Sequence, residues 1–466
     1  MAHKTNRHFR RREFLASVAA TGLGLGTRTG YSATGKAELK AGQGIVDTTP
    51  PLGIELAGFH KAPGKERRIT GIRRPSAARA LVVGVGADRA AIVSLDICAV
   101  SRQMSGRVQQ AVAKRTGIPA ANVRLCATHT HAMPTLRYFR QWGAVSPEYM
   151  ASVEKKIVQA VELAVADSAA AELYVGTGRA PGASNNRTTK TWKTDEQFGK
   201  DSSDADRWLD TTVQVAHFQR PGENRNLLWY HFSAHPVCYR DGNAGPDWPG
   251  LVDELVREKL KIRPSFLQGH CGDVNAGDTK NWIGSAENTA NPVFAAIETA
   301  LAGSKRVKVD GLRVQTEQFK LPLNIELFKQ WLAAYKKDPA KPGGGFVDAR
   351  FAADWFESSA KYDLSRTYLP IPLTAMRIGE LGLVFHPSEL YSYYGLAIRR
   401  DSPLPNTLVV GYTDDIIGYL PDPNAHKAKE YSADVVPKIL DLPPFTPTAT
   451  RDVAAGAVAL LKKTVG

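Results

Sequence analysis

Short β-rich runs alternate with longer segments carrying apolar residues at helical spacing through most of the chain, and a layered arrangement of sheets and helices buries both kinds. The fold class that follows is α/β: a mixed layered sheet-and-helix single large domain. Leu81 to Val85 and Ala91 to Leu95 read as a hairpin around Gly86-Ala87-Asp88-Arg89. Further strands are expected at Val123 to Ala127, Glu172 to Gly176, Thr212 to Phe218, Leu227 to Phe232, Ser265 to Gln268, Met376 to Phe385 and Leu408 to Gly411. Helices are expected over Arg102 to Arg115, Pro147 to Val165, Leu251 to Leu260, Pro292 to Ala302, Ile325 to Lys336, Asp348 to Ser359 and Leu390 to Arg399. The Gly- and Pro-rich breaks at Gly182 to Asn186, Pro339 to Gly345 and Leu442 to Pro447 are too short for flexible linkers, and the sequence shows no internal repeat. Residues 35–466 therefore read as one domain.

The first residues are of a different kind. Arg11-Arg12-Glu13-Phe14-Leu15 precedes the apolar stretch Ala16 to Gly26 and a polar segment containing Ser32, Ala33 and Thr34. A basic start before a short apolar stretch is a targeting peptide rather than part of a fold. Twin arginines before Phe-Leu resemble the bacterial twin-arginine signal, so residues 1–34 are expected to be a leader and the mature protein periplasmic or secreted. The leader carries a net +5 of the chain's formal +14. The remaining +9 is spread out, without the basic run and interleaved aromatics of a nucleic-acid groove, and no nucleic-acid partner is expected. Beyond the leader no apolar run approaches the ~18 residues that a transmembrane helix requires. Cys98, Cys126, Cys238 and Cys271 are too few and too widely spaced for a disulfide scaffold and read as buried thiols.

Common catalytic signatures are missing: no HExxH, no GxSxG elbow, no Walker A loop and no GxGxxG between a strand and a helix. Polar residues at the ends of apolar strands remain. Thr128-His129-Thr130-His131 follows Val123 to Ala127, and on an extended chain the two histidines point to one side, as a metal-binding pair or as hydrogen-bonded structural residues. His235 follows Leu227 to Phe232, and Gly269-His270-Cys271-Gly272-Asp273-Val274-Asn275 follows Ser265 to Gln268. Such strand ends are where loops converge on a ligand in layered α/β domains. Glu389, between a strand and a helix, reads by spacing as a helix N-terminal carboxylate or an oxygen ligand, and Tyr419 as core packing or a ligand.

Gly44 to Pro51, Ala127 to His131, Asn186-Arg187, His235-Pro236, Gln268 to Val274, Glu389, and Gly418-Tyr419 followed twelve residues later by Tyr431 occur in a recognisable order. On these passages the mature chain resembles the N-terminal catalytic domain of the neutral/alkaline (non-lysosomal) ceramidases, in the form of a short bacterial relative. The resemblance implies one catalytic zinc ion, Zn2+, held by His129, His235, Glu389 and Tyr419 with room for a water whose pKa the metal lowers. It makes His131 the general acid/base, and has Arg187 and Tyr431 hold the substrate carbonyl and developing oxyanion. Asp273 becomes a carboxylate that orients a ligand or donor. The implied partner is a small-molecule or lipid-like N-acyl substrate.

Three departures bear on substrate. Asn275 stands where ceramidases carry a serine, so a hydroxyl by the scissile bond becomes an amide that donates a hydrogen bond but is no nucleophile. Ala132-Met133-Pro134 replaces the usual Ser-Gly-Pro, and the family's C-terminal immunoglobulin-like domain is expected to be absent. The leading expectation is an exported zinc hydrolase cleaving an amide bond; the alternatives are an exported zinc-containing binding protein without turnover, and a zinc-dependent esterase or phosphoesterase. Tyr391, Tyr393, Tyr394 and Phe139 read as core, with an acyl-pocket lining as the other reading.

Overall fold

In the computed structural model the described residues are 38–223, 225–278, 284–339 and 344–466, so the leader reading at 1–34 lies outside the described residues. The apolar runs assemble into three larger sheets of the same construction. Ala77–Val85 and Asp88–Leu95 form the expected hairpin, with Val85 opposite Asp88 across a Gly86-Ala87 turn in which Gly86 has φ +62. The second strand leads through the helix Arg102–Thr116 to Val123–Ala127, its parallel neighbour. Leu227–Phe232, Asp247–Leu255 and Arg263–Gln268 repeat this order in the second sheet. Leu381–Phe385, Ser392–Asp401 and Asn406–Val410 repeat it in the third. A longer helix then covers each sheet: Pro147–Ala166, Ala286–Ala302 and Ala449–Val465. The three-fold recurrence is one of architecture, with no counterpart in the sequence.

Strand alternation sorts the side chains into two layers. Leu81, Val83, Ile92, Phe218, Trp229, Met376, Leu383 and Phe385, drawn from all three sheets, form one buried cluster. Their neighbours Val82, Val93, Val215, Tyr230, Ala375 and Val384 belong to a second, larger cluster shared with the helices. The strands are therefore apolar at nearly every position because both faces are covered. Sheets inside and helices outside bear out the layered α/β reading.

Several boundaries differ from expectation. Met376 to Phe385 is not one strand but the end of Tyr368–Ile378 and all of Leu381–Phe385, antiparallel partners. The turn between them needs Gly379, at φ +56, where a Cβ would stand 2.0 Å from the Lys308 carbonyl oxygen. The helix expected from Pro292 begins at Ala286, capped by Ser285, whose hydroxyl accepts from the Asn288 amide at 3.2 Å. Pro292 therefore lies inside the helix, beyond its first turn, where it removes one backbone hydrogen bond. Two long strands were not foreseen, Leu39–Asp47 and Leu312–Pro322; the latter is largely exposed and lacks the apolar run that marks the others.

Candidate metal centre

The carboxyl ends of the parallel pairs meet. Gly411 N donates to the Gln268 carbonyl, Gly269 N to Phe232, Asp414 N to Leu125 and Ala127 N to Tyr412, lacing strand ends of the three sheets together. Gln268 Nε2 adds bonds to the Thr128 and Ala234 carbonyls, at 3.1 and 3.0 Å, directly below His129 and His235 in the chain. The residues that continue from these ends converge on one buried place.

His129 does not follow the extended course that alternation implied. Its φ is +64, so the chain turns there, and this turn brings His131 Nε2 to 3.2 Å from His129 Nε2. His129 Nδ1 lies 2.8 Å from the Cys98 carbonyl and His235 Nδ1 lies 2.9 Å from the Val274 carbonyl. A carbonyl only accepts, so each Nδ1 carries the proton and each Nε2 presents a lone pair. Both lone pairs face Glu389: its Oε2 is 3.6 Å from His129 Nε2 and 3.1 Å from His235 Nε2. Burial holds His129 at about 4 and His235 well below the ordinary histidine range, so both are neutral at pH 7, while burial raises Glu389.

Glu389 is not at a helix start. It opens the short strand Glu389–Leu390, which pairs in parallel with Tyr419–Leu420 so that Glu389 and Tyr419 stand side by side, and the helix begins only at Ser392. The helix N-terminal reading of Glu389 gives way to this register, while Tyr419 beside it is buried in the larger core cluster, as its core-packing reading has it. Tyr419 accepts a hydrogen bond from Arg187 Nη2 at 2.6 Å.

Whether these residues suit a zinc ion can be read from their free valences. Ligand atoms of His129, His235 and Glu389 lie within 4.8 Å of one another, and Glu389 Oε1 is buried without a hydrogen-bond partner. Two tautomer-fixed imidazoles and a carboxylate are the borderline donor set that zinc takes, and the carbonyls behind each imidazole are the usual orienting partners. The residues fit. Cys98, His129 and His131 form a second possible grouping, which shares His129.

The other expected site residues are also nearby. His131 packs edge-on against Phe59, with ring centroids 5.1 Å apart, and its Nδ1 is unpartnered. Gly58, at φ +94, allows this: a Cβ there would stand 2.4 Å from His131 Cγ. Arg187 follows the short strand Ser184–Asn186, paired with Val274–Ala276, and also donates to the Gly272 carbonyl at 2.7 Å. Asp273 is not at the metal ligands. Its carboxylate accepts from Asn186 Nδ2, Ser392 N and Ser392 Oγ at 2.8 to 2.9 Å, fixing the strand that carries Arg187, and burial pushes it up to about 6. Asn275 holds its backbone against His235, and its Oδ1 lies 3.5 Å from Arg187 Nη1. Tyr431 stands at the rim, 40% exposed, 6.3 Å from the Tyr419 ring.

Tyr391, Tyr394 and Phe139 are buried, the two tyrosine hydroxyls bonding to Ser432 and Asp204, so the core reading of these three holds; Tyr393 is half-buried and donates to the Ser202 carbonyl. Two contributors had escaped notice. Tyr412 stacks on His129 at 4.2 Å with its hydroxyl 3.5 Å from Glu389 Oε2, and His60 bonds Tyr431. Tyr412 carries the same signal as the others, a polar group just past an apolar strand.

Comparison with known proteins agrees. Residues 39–255 match the family model described as neutral/alkaline non-lysosomal ceramidase, N-terminal. The fold is similar to that of the neutral ceramidase from Pseudomonas aeruginosa, with a TM-score of 0.68 and 19% identity over 92% of this chain and 75% of that one. It is likewise similar to a structure of ceramidase complexed with C2, with a TM-score of 0.69 and 18% identity over 92% and 76% of the two chains. Residues 39–255 thus match the N-terminal domain of the neutral/alkaline non-lysosomal ceramidase family, on a fold similar to that of neutral ceramidase.

Proposed function

We propose that the protein is an exported, zinc-dependent hydrolase that cleaves the amide bond of a lipid-like N-acyl substrate, ceramide or a relative of it. The observation that carries this reading is the convergence of His129, His235 and Glu389, with Tyr419 beside the carboxylate, in one buried place at the strand ends. Zinc, when bound by these four residues, supplies a Lewis acid that polarises a carbonyl and acidifies a water. The chain's own groups divide the remaining work. His131, neutral and with Nδ1 unpartnered, takes a proton and returns it to the leaving amine. Arg187 stays protonated, because Tyr419 and Glu389 outweigh the burial that opposes its charge. It and the Tyr431 hydroxyl donate to the carbonyl oxygen as negative charge develops there. Asp273 holds the strand from which Arg187 projects. Export rests on the leader reading of residues 1–34.

The test is metal content and turnover together. The mature protein should carry one zinc per chain by elemental analysis and release fatty acid from some member of a series of short- and long-chain N-acyl substrates. Absence of stoichiometric metal would end the proposal. The replacement of the family's serine by Asn275 favours a second reading, a zinc-containing binding protein without turnover, and bound zinc with inactivity across the whole series would establish it.

A further inference from the structure

Tyr431 is carried by a segment that turns sharply. Pro423–Lys427 and Tyr431–Asp434 are short helices, and between them Lys429 sits at φ +52, a left-handed conformation that a residue with a Cβ adopts at a cost. The turn is therefore held by what it touches.

One guanidinium holds both of its ends. Arg207 Nη1 donates to Asp422 Oδ2, and Nη2 donates to Glu430 Oε1 at 2.5 Å. Asp422 caps the first helix, its Oδ1 accepting from Ala425 N at 2.9 Å, and Glu430 immediately precedes Tyr431. The other Glu430 oxygen lies 3.4 Å from the Tyr391 hydroxyl, which lies 2.7 Å from Ser432 Oγ on the far side of Tyr431. Both chain neighbours of Tyr431 are thus pinned. A guanidinium suits such a bridge because its donors point in fixed, separate directions. The Arg207 side chain is 14% exposed and that of Asp422 4%, so solvent screens the pair little.

Arg207 is tied to the opposite side of the site as well. It precedes the strand Trp208–Leu209, which pairs in parallel with Lys193–Thr194, and Lys193 N donates to the Arg207 carbonyl at 2.9 Å. The Trp208 carbonyl accepts from Asn186 Nδ2 at 2.9 Å, and Asn186 immediately precedes Arg187. A chain of contacts therefore runs from Arg187 through Asn186, Trp208 and Arg207 to Glu430 and Tyr431. It joins the two groups that approach the substrate carbonyl from distant parts of the sequence.

We propose that Arg207 is a positioning residue: by bridging Asp422 and Glu430 it fixes Tyr431 relative to Arg187, so that both donors meet one carbonyl oxygen. The inference rests on the roles proposed above for these two residues and deepens them.

A double-mutant cycle on the zinc-loaded protein tests it. Arg207→Met and Glu430→Ala should each lower kcat by about 10- to 10²-fold, with zinc content unchanged and KM little moved. Arg207→Met should cost nothing further in a Tyr431→Phe background, and Arg207→Lys, which reaches one carboxylate at a time, should recover part of the loss. The second readout needs no turnover. Ala433 N and Asp434 N donate to the Glu430 carbonyl and Val435 N to that of Tyr431, and deuterium exchange of these amides should quicken about 10-fold in Arg207→Met. Unchanged kcat, an undiminished loss on top of Tyr431→Phe, loss of zinc, or unmoved exchange overturns the inference. If Arg207→Met does not fold, Glu430→Ala, at a side chain 25% exposed, carries the same comparison. A parent protein inactive on every N-acyl substrate defeats the proposed function instead, and exchange then decides the Arg207 bridge alone.

Discussion

Two backbone carbonyls, Cys98 and Val274, set the direction of His129 and His235, and this detail converts two histidines into a matched pair of lone pairs. His129→Ala and His235→Ala should therefore lose metal and activity together in elemental analysis and assay, while Asn275→Ala keeps its metal. Gly58→Ala tests the packing around His131. A residue with a Cβ is strained at φ +94 and must displace the ring, so zinc should remain while kcat falls by up to about 10²-fold. The histidines, Glu389 and Tyr419 were legible as polar residues at the ends of apolar runs, given the family resemblance. Tyr412 also stands just past an apolar run but reads there equally as core, and nothing local ties His60 to Tyr431, 371 residues away.

Two of the covering helices are seated on pairs of glycines. A Cβ on Gly42 or Gly44 would stand 2.2 or 2.0 Å from the carbonyl oxygens of Ala164 and Ala160, and one on Gly178 or Gly176 would stand 2.1 or 2.0 Å from those of Ala296 and Ala300. A step of two along a strand and of four along a helix keeps each set on one face, so helix and sheet meet backbone to backbone. Gly44→Ala and Gly178→Ala should each lower stability by about 1–3 kcal/mol in denaturant unfolding, through forced separation of the layers. An unchanged midpoint in both would show that the helices shift freely. The elements with continuous apolar runs were read almost to the residue, Val123–Ala127 and Leu227–Phe232 among them. Where the pattern continued through a turn, as at Gly379, or an exposed strand lacked it, as at Leu312–Pro322, periodicity had nothing to mark.

On the scale of the whole molecule the interior histidines make one contribution to the fold's dependence on pH, opposed between about pH 6 and 4 by the buried Asp247, Asp253 and Asp273, each pushed up to about 6. Burial lowers His217 to about 4 and His231 and His386 to about 3, below the unfolded value of ~6.5. At these histidines the unfolded chain binds more protons than the folded one between those limits, so their contribution to stability rises with pH across that interval and falls as pH drops through it. Removing one lowered histidine isolates its share: between pH 7 and pH 4 the thermal midpoint of His217→Gln should rise relative to the parent's as pH falls, and a constant difference would contradict this. Chelation at pH 7 should lower the midpoint, because an ion bound to the folded chain alone stabilises it; an unmoved midpoint in a protein shown to have lost its metal would contradict this. By itself the sequence determined the periods of its apolar residues, hence the layered class, the inner and outer faces of each strand, and which polar groups stand at strand ends. Only the tertiary structure decided which of those ends meet. Glu389 faces His235 across 154 residues and Arg187 reaches Tyr419 across 232, through strand pairings and a left-handed turn at His129 that no local stretch of chain favours alone. Such contacts form only once the three sheets close around their shared interior and bring their ends together.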